Sequence, residues 1–192
     1  MTIAAENPVY VQGDFNANSN GNGFNDPHVA TSIAADAVTL LSDNWNDYNS
    51  FLFPYQQSPV STSPAPVTNP GQRAGYTSWY RVAVAAGKGI SFPQPTGTSQ
   101  DFGTDGGVHN FFRYIEHWGN QTLNYRGSII NLFTNRQLVG TFKCCTLVYS
   151  PPSRGYNFDV EFLDPQLLPP RTPLFRDVNT TGFTQLLLPN QQ

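Results

Sequence analysis

The sequence predicts a mainly β protein, most simply a short right-handed parallel β-helix (a solenoid) decorated by one amphipathic helix and Pro-rich loops, with a β-sandwich as the alternative. Three observations lead there. Short runs of alternating or β-branched apolar residues recur between Gly, Pro and Asn clusters. The first two runs, centred near Tyr10–Gln12 and near Ala37, lie about 25 residues apart, within the span of one solenoid coil. No Asn-Gly or Asp-Gly pair separates adjacent alternating runs, so tight hairpins are not signalled and parallel strands with long returns are favoured.

Val9 to Phe15 alternates, with Val9, Val11, Gly13 and Phe15 on one face and Tyr10, Gln12 and Asp14 on the other, as in a strand with one buried side. Ile33 to Leu41 is apolar on both parities apart from Asp36 and Thr39. Its β-branched residues and shortness favour a strand covered on both faces over a helix. Residues 56–72 (QQSPVSTSPAPVTNPGQ) form a Pro/Ser/Thr-rich surface loop. Trp79 to Ala86 is the next strand, ended by Gly87 and Gly89; Ile90 to Phe92 extend it until Pro93 and Pro95 intervene. Val108, Phe111, Phe112, Ile115 and Trp118 fall at helical spacing and predict an amphipathic helix, capped by Thr104 or Asp105 and stopped by Gly119. Leu123 to Phe133 and Thr141 to Tyr149 read as further strands. The Pro-rich residues 150–192 read as an extended C-terminal strap with a short helix around Asp164 to Leu168. With 192 residues, the chain suits one core and one domain.

Composition narrows the function classes. Charged residues are only 12% and aromatics 14%, and 18 Asn with 12 Gln do the solvating that Lys and Glu usually do. A net charge of −3 with two lysines leaves no basic stripe, which argues against nucleic acid and against an anionic membrane surface as partner. The N-terminal MTIAAENPVY has neither a positive nor an apolar signal region, and no apolar run is long enough to insert in a membrane.

Several constellations are candidates for chemistry. Asp14, Asn16, Asn18 and Asn20 place oxygen-bearing side chains at every second position, with Asp26 as a further carboxylate, the pattern by which a loop folds around Ca²⁺. The alternative is a polar turn bonded to its own backbone. Calcium is the one cofactor this suggests. Trp45, Tyr48 and Tyr55 are interleaved with Asp43, Asn44, Asn46, Asp47 and Asn49, a mixture suited to stacking on sugar rings while amides and carboxylates bond hydroxyls. On the predicted helix, His109, Arg113 and Glu116, with His117 alongside, read as a solvated face, and His28 reads as structural. The adjacent Cys144 and Cys145 would point to opposite faces of a strand; they are either two buried or half-buried thiols or, in an oxidising compartment, the outward one bonds another chain. No GxSxG, GxGxxG, P-loop or zinc-type Cys/His spacing occurs, so no catalytic residue is assigned.

NPVYVQGDFN, IAADAVTLLSDNWND, GGVHNFFRYIEHW, TLNYRGSIINLF and FLDPQLLPPRTPLFRDVN resemble the C-terminal region of the cyanobacterial hormogonium polysaccharide biosynthesis protein A family, and more loosely PilX-like pilus-associated surface proteins. The resemblance implies a cell-surface or extracellular module concerned with polysaccharide secretion or organisation, or with pilus-linked gliding and adhesion. Its partners would be polysaccharide, a surface or pilus protein, or further copies of itself. The chain is much shorter than the long family members, so a separated C-terminal module, a fragmentary gene or an independent small relative is expected. Two alternatives stand beside this reading. One is a polysaccharide lyase or hydrolase on a β-helix, using carboxylates such as Asp101, Asp105 and Glu116. The other is a structural subunit of a surface filament.

Overall fold

The computed structural model describes residues 1–18, 23–25, 28–47, 73–89, 107–137 and 149–174. Ten strands occupy these stretches: β1 (Thr2–Ala4), β2 (Val9–Gln12), β3 (Ser32–Ala35), β4 (Val38–Leu41), β5 (Ser78–Arg81), β6 (Ala83–Lys88), β7 (Phe112–Arg113), β8 (Thr122–Gly127), β9 (Ile129–Thr134) and β10 (Ser153–Phe158). They form three sheets, in the orders β1-β3-β6-β9 (sheet I), β2-β4-β7 (sheet II) and β10-β8-β5 (sheet III). Every strand pairing among the described residues is parallel, whereas the sandwich alternative would need antiparallel ladders. Tyr48, Tyr55, Asn20, Asp26, Asp101, Asp105, Cys144, Cys145 and the 56–72 loop lie outside the described residues.

Parallel register stacks like on like. Ile3, Ile33, Val84 and Ile129 share one row of sheet I, and Val9, Val38 and Phe112 one row of sheet II. In sheet III, Tyr80, Tyr125 and Tyr156 are in register, with the Tyr125 and Tyr156 ring centroids 5.7 Å apart. These rows belong to one hydrophobic core, and burying each large side chain contributes about 1.5–3 kcal/mol.

Three predicted strands are each two strands in the structure. Ile33–Leu41 divides at Asp36–Ala37 into β3 and β4, Trp79–Ala86 divides at Val82 into β5 and β6, and Leu123–Phe133 divides at Ser128 into β8 and β9. The corners hold because polar groups take up the backbone that leaves the ladders. The buried Asp36 carboxylate accepts the N–H groups of Arg136 (2.7 Å) and Gln137 (2.9 Å). The Tyr125 hydroxyl serves the carbonyls of Val82 (2.6 Å) and Ser128 (2.8 Å), and the Tyr80 hydroxyl donates to Leu41 O. Gly127 is required at its corner, since a Cβ there would stand 2.0 Å from Val82 O.

The amphipathic helix predicted over residues 108–118 does not form. A 3-10 turn, Gly107–Asn110, leads into β7, and Phe112 pairs with Val38. Val108, meant to head the apolar stripe, is 56% exposed, Phe111 to Tyr114 are all buried, and from Tyr114 burial alternates through Glu116 and Trp118, the period of a strand. The backbone bonds run between passes of the chain: His117 N–H to Arg73 O (2.8 Å) and Trp118 N–H to Ser150 O (3.1 Å). At the start of residues 150–192 the extended chain forms β10, which pairs with β8 along its whole length. Two 3-10 turns follow, Val160–Leu163 capped by Asp159 and Pro165–Leu167 capped by Asp164, the second falling where a short helix was expected.

Candidate functional site

The ends of β2 and β4 lie side by side, and beyond them the chain builds a polar corner against the segment leading into β5. Gly13 N–H bonds Leu41 O (2.9 Å), which sets the turn after β2 against the turn after β4. The Gln12 side-chain amide donates to Asp43 O and Trp45 O, both at 3.2 Å. Asp43 N–H donates to the Ser78 hydroxyl (3.0 Å), Asn44 Nδ2 to Ala74 O (3.1 Å), and Trp79 N–H to Asp14 Oδ1 (2.7 Å). Trp45 is half-buried, with its indole N–H held by Asp47 Oδ1 at 2.7 Å. Asp43, Asn44, Asn46 and Asp47 are exposed around it.

This corner joins two features that the sequence kept apart, the Asp14 end of the calcium candidate and the Trp45 end of the aromatic one. Burial raises the Asp14 carboxyl, the Trp79 N–H opposes that, and the charge of Asp43 raises it further. The rest of the alternating run turns to the fold itself. Asn16, with φ 53°, donates its amide to Val29 O (2.8 Å) and Arg81 O (2.9 Å), and Asn18 N–H bonds Gly23 O (3.0 Å). These are the contacts of a polar turn.

Glu116 sits beneath the corner. It does not share a solvated face with Arg113: Glu116 is 1% exposed and Arg113 is buried in β7. Ser42 donates its N–H (2.7 Å) and its hydroxyl (2.6 Å) to the Glu116 carboxylate. Burial nevertheless outweighs these bonds and the charge of Arg73, and pushes the carboxyl up to about 7. His117 instead faces Ser150, Nδ1 to Oγ at 2.8 Å.

A second charged cluster was not legible in the sequence. Arg81, 1% exposed, grips Asp159 through Nε (2.7 Å) and Nη2 (2.9 Å), and its Nη1 donates to Asn25 O (2.7 Å). Burial alone would raise the Asp159 carboxyl, but the hydrogen bond and charge of Arg81 prevail and hold it below the usual carboxylate range. His28, Asp159 and Glu161 offer ligand atoms that all lie within 4.8 Å of one another, a set able to hold a metal ion. Its members lie far apart in the sequence, at residue 28 and at residues 159 and 161, with no local pattern that joins them.

Among the described residues no helix is long and apolar enough to cross a membrane. No family model, curated protein or solved structure matches the chain.

Proposed function

We propose that the chain is a noncatalytic surface module that holds polysaccharide at the Trp45 corner, on a short right-handed parallel β-helix. The solenoid reading is supported by the order in which the chain visits the sheets: β3 in I, β4 in II, β5 in III, then β6 in I, β7 in II, β8 in III. The right-handed winding follows from the strong preference of parallel crossovers.

The single observation that carries the function is the tethering of Trp45. Gln12, from the neighbouring strand, bonds its carbonyl, and Asp47 bonds its indole. An aromatic ring fixed in this way, rimmed by exposed amides and carboxylates, stacks on a sugar face at little entropic cost. The resemblance to the hormogonium polysaccharide family adds the setting: the cell surface or exterior, and polysaccharide secretion, pilus-linked gliding or adhesion.

The test is affinity electrophoresis through gels containing neutral or acidic polysaccharides. Retardation by at least one of them is expected, weakened about tenfold in Trp45→Ala, with no sugar product released. Equal retardation of the variant would refute the reading, and release of product would favour the lyase or hydrolase alternative. A second reading, a filament subunit, draws on the exposed Ile130, Leu132 and Phe133 of β9, the last strand of sheet I among the described residues. Light scattering of the purified chain tests it.

A further inference from the structure

The geometry points to a divalent transition-metal site formed by His28, Asp159 and Glu161, which clasps the excursion between β2 and β3 to the turn after β10. The His28 side chain is 4% exposed, and its two ring nitrogens are buried without a hydrogen bond. Carboxylate oxygens are close all the same: Asp159 Oδ2 is 3.2 Å from Nε2, and Glu161 Oε2 is 2.7 Å from Nδ1. An imidazolium paired with these acids would aim its N–H groups along those lines. Ligands sharing a tetrahedral ion behave differently. Their N and O atoms stand about 3.3 Å apart, with the oxygen about 35° off the nitrogen's axis, because both aim at the metal. The Nε2 to Asp159 contact has that separation and lacks hydrogen-bond alignment, which makes Nε2 the ligand nitrogen; the 2.7 Å Nδ1 to Glu161 contact is shorter than two ligands of one ion allow, so Glu161 has to turn from Nδ1 toward the ion to complete the site.

Charge points the same way. The guanidinium of Arg81 lies against both acids, 2.7 Å from Asp159 and 3.5 Å from Glu161, and offsets one of two negative charges. Asp159 is fully buried and Glu161 is 20% exposed, so the remaining charge is partly shielded from water, and a bound cation would offset it. One imidazole nitrogen with two carboxylates selects Zn²⁺, Mn²⁺ or a related ion over Ca²⁺, which takes oxygen ligands. His28 also lines a cavity of about 410 Å³ together with Asn16, Ala17, Asn25 and Val29, which brings solvent to one side of its ring while the ring nitrogens themselves stay covered. This site is separate from the Trp45 corner, and either can fail without the other.

The experiment uses the untagged chain, stripped with a chelator, dialysed against Zn²⁺ at pH 7.5 and analysed for bound metal and thermal midpoint. One zinc per chain is expected, with a higher midpoint than the stripped protein. His28→Gln and Glu161→Gln should each weaken zinc binding by at least about tenfold while keeping the far-ultraviolet circular dichroism of the unaltered chain. Absence of stoichiometric zinc, or equal binding by His28→Gln, would overturn the site. In case a variant does not fold, Co²⁺ is titrated into the unaltered chain. Intense visible bands of a four-coordinate ion with nitrogen and oxygen ligands support the clasp, and only the weak bands of the aqua ion refute it.

Discussion

The Trp45 corner and the Arg81 cluster both tie together parts of the chain far apart in sequence, but they do so with opposite chemistry. At the corner, amides and hydroxyls meet backbone groups near the surface, as with Gln12 on Asp43 O and Trp45 O. In the cluster, full charges meet in the interior, with Arg81 and Asp159 at 1% and 0% side-chain exposure. Neutral bonds of the first kind contribute about 1 kcal/mol each and can be lost singly. Buried charges are interdependent, because removing one strands the others. The corner is therefore suited to presenting groups to a partner, and the cluster to holding the fold or an ion.

The largest expected effect tests the cluster. Arg81→Met leaves Asp159 and Glu161 without their guanidinium, and should lower stability to urea by about 3–5 kcal/mol, with zinc restoring part of the loss. A loss under about 1 kcal/mol would erase the contrast between the two regions.

Next comes the pH dependence of Glu116, the one buried acid under the corner. Its carboxyl is raised from 4.5 to about 7 in the folded chain. The folded state thus binds the proton more tightly, so this contribution is fully present below 4.5 and is lost as pH rises toward and through 7. Urea melts should show stability falling over that window by up to about 1.4 kcal/mol per pH unit, and Glu116→Gln should flatten the slope. A slope unchanged in the variant would mean that Ser42 and Arg73 already neutralise the site.

Gln12→Ala sharpens the comparison at its weak end. Losing two long neutral hydrogen bonds at the surface should cost about 0.5–1 kcal/mol. Glycan retention should drop as well, because Trp45 is less firmly held, and an unchanged retention would show that the tether is not needed.

Much of the β architecture was legible because burial imposes alternation. Val9–Val11, Ile33, Val84 and Leu123–Tyr125 all announce extended chain, and the absence of hairpin signals pointed to parallel ladders. The corners were not legible. Val82 turns the chain without a Gly or Pro mark, and its carbonyl is held by a tyrosine hydroxyl from another pass, while Gly127 before Ser128 stands inside a run that otherwise reads as one strand. Residues 108–118 misled because aromatic residues at Phe111, Phe112 and Trp118 satisfy helical spacing, while the true strand period is carried partly by Glu116, a residue that a hydrophobic pattern skips. The candidate site divided similarly. Trp45 and Asp14 were visible as residue types, but their meeting depends on Gly13 pairing with Leu41. The link from Ser42 to Glu116, and the gathering of His28, Arg81, Asp159 and Glu161, are tertiary events with no local period to read.

The most direct test of the central claim pairs two readouts on Trp45→Ala: urea stability and retardation in a polysaccharide gel that holds back the unaltered chain. The account predicts stability within about 1 kcal/mol of the unaltered chain, since Trp45 is only half-buried, together with about tenfold weaker retardation. A variant that keeps full retardation, or one that loses it only by unfolding, would contradict the corner as a surface for sugars.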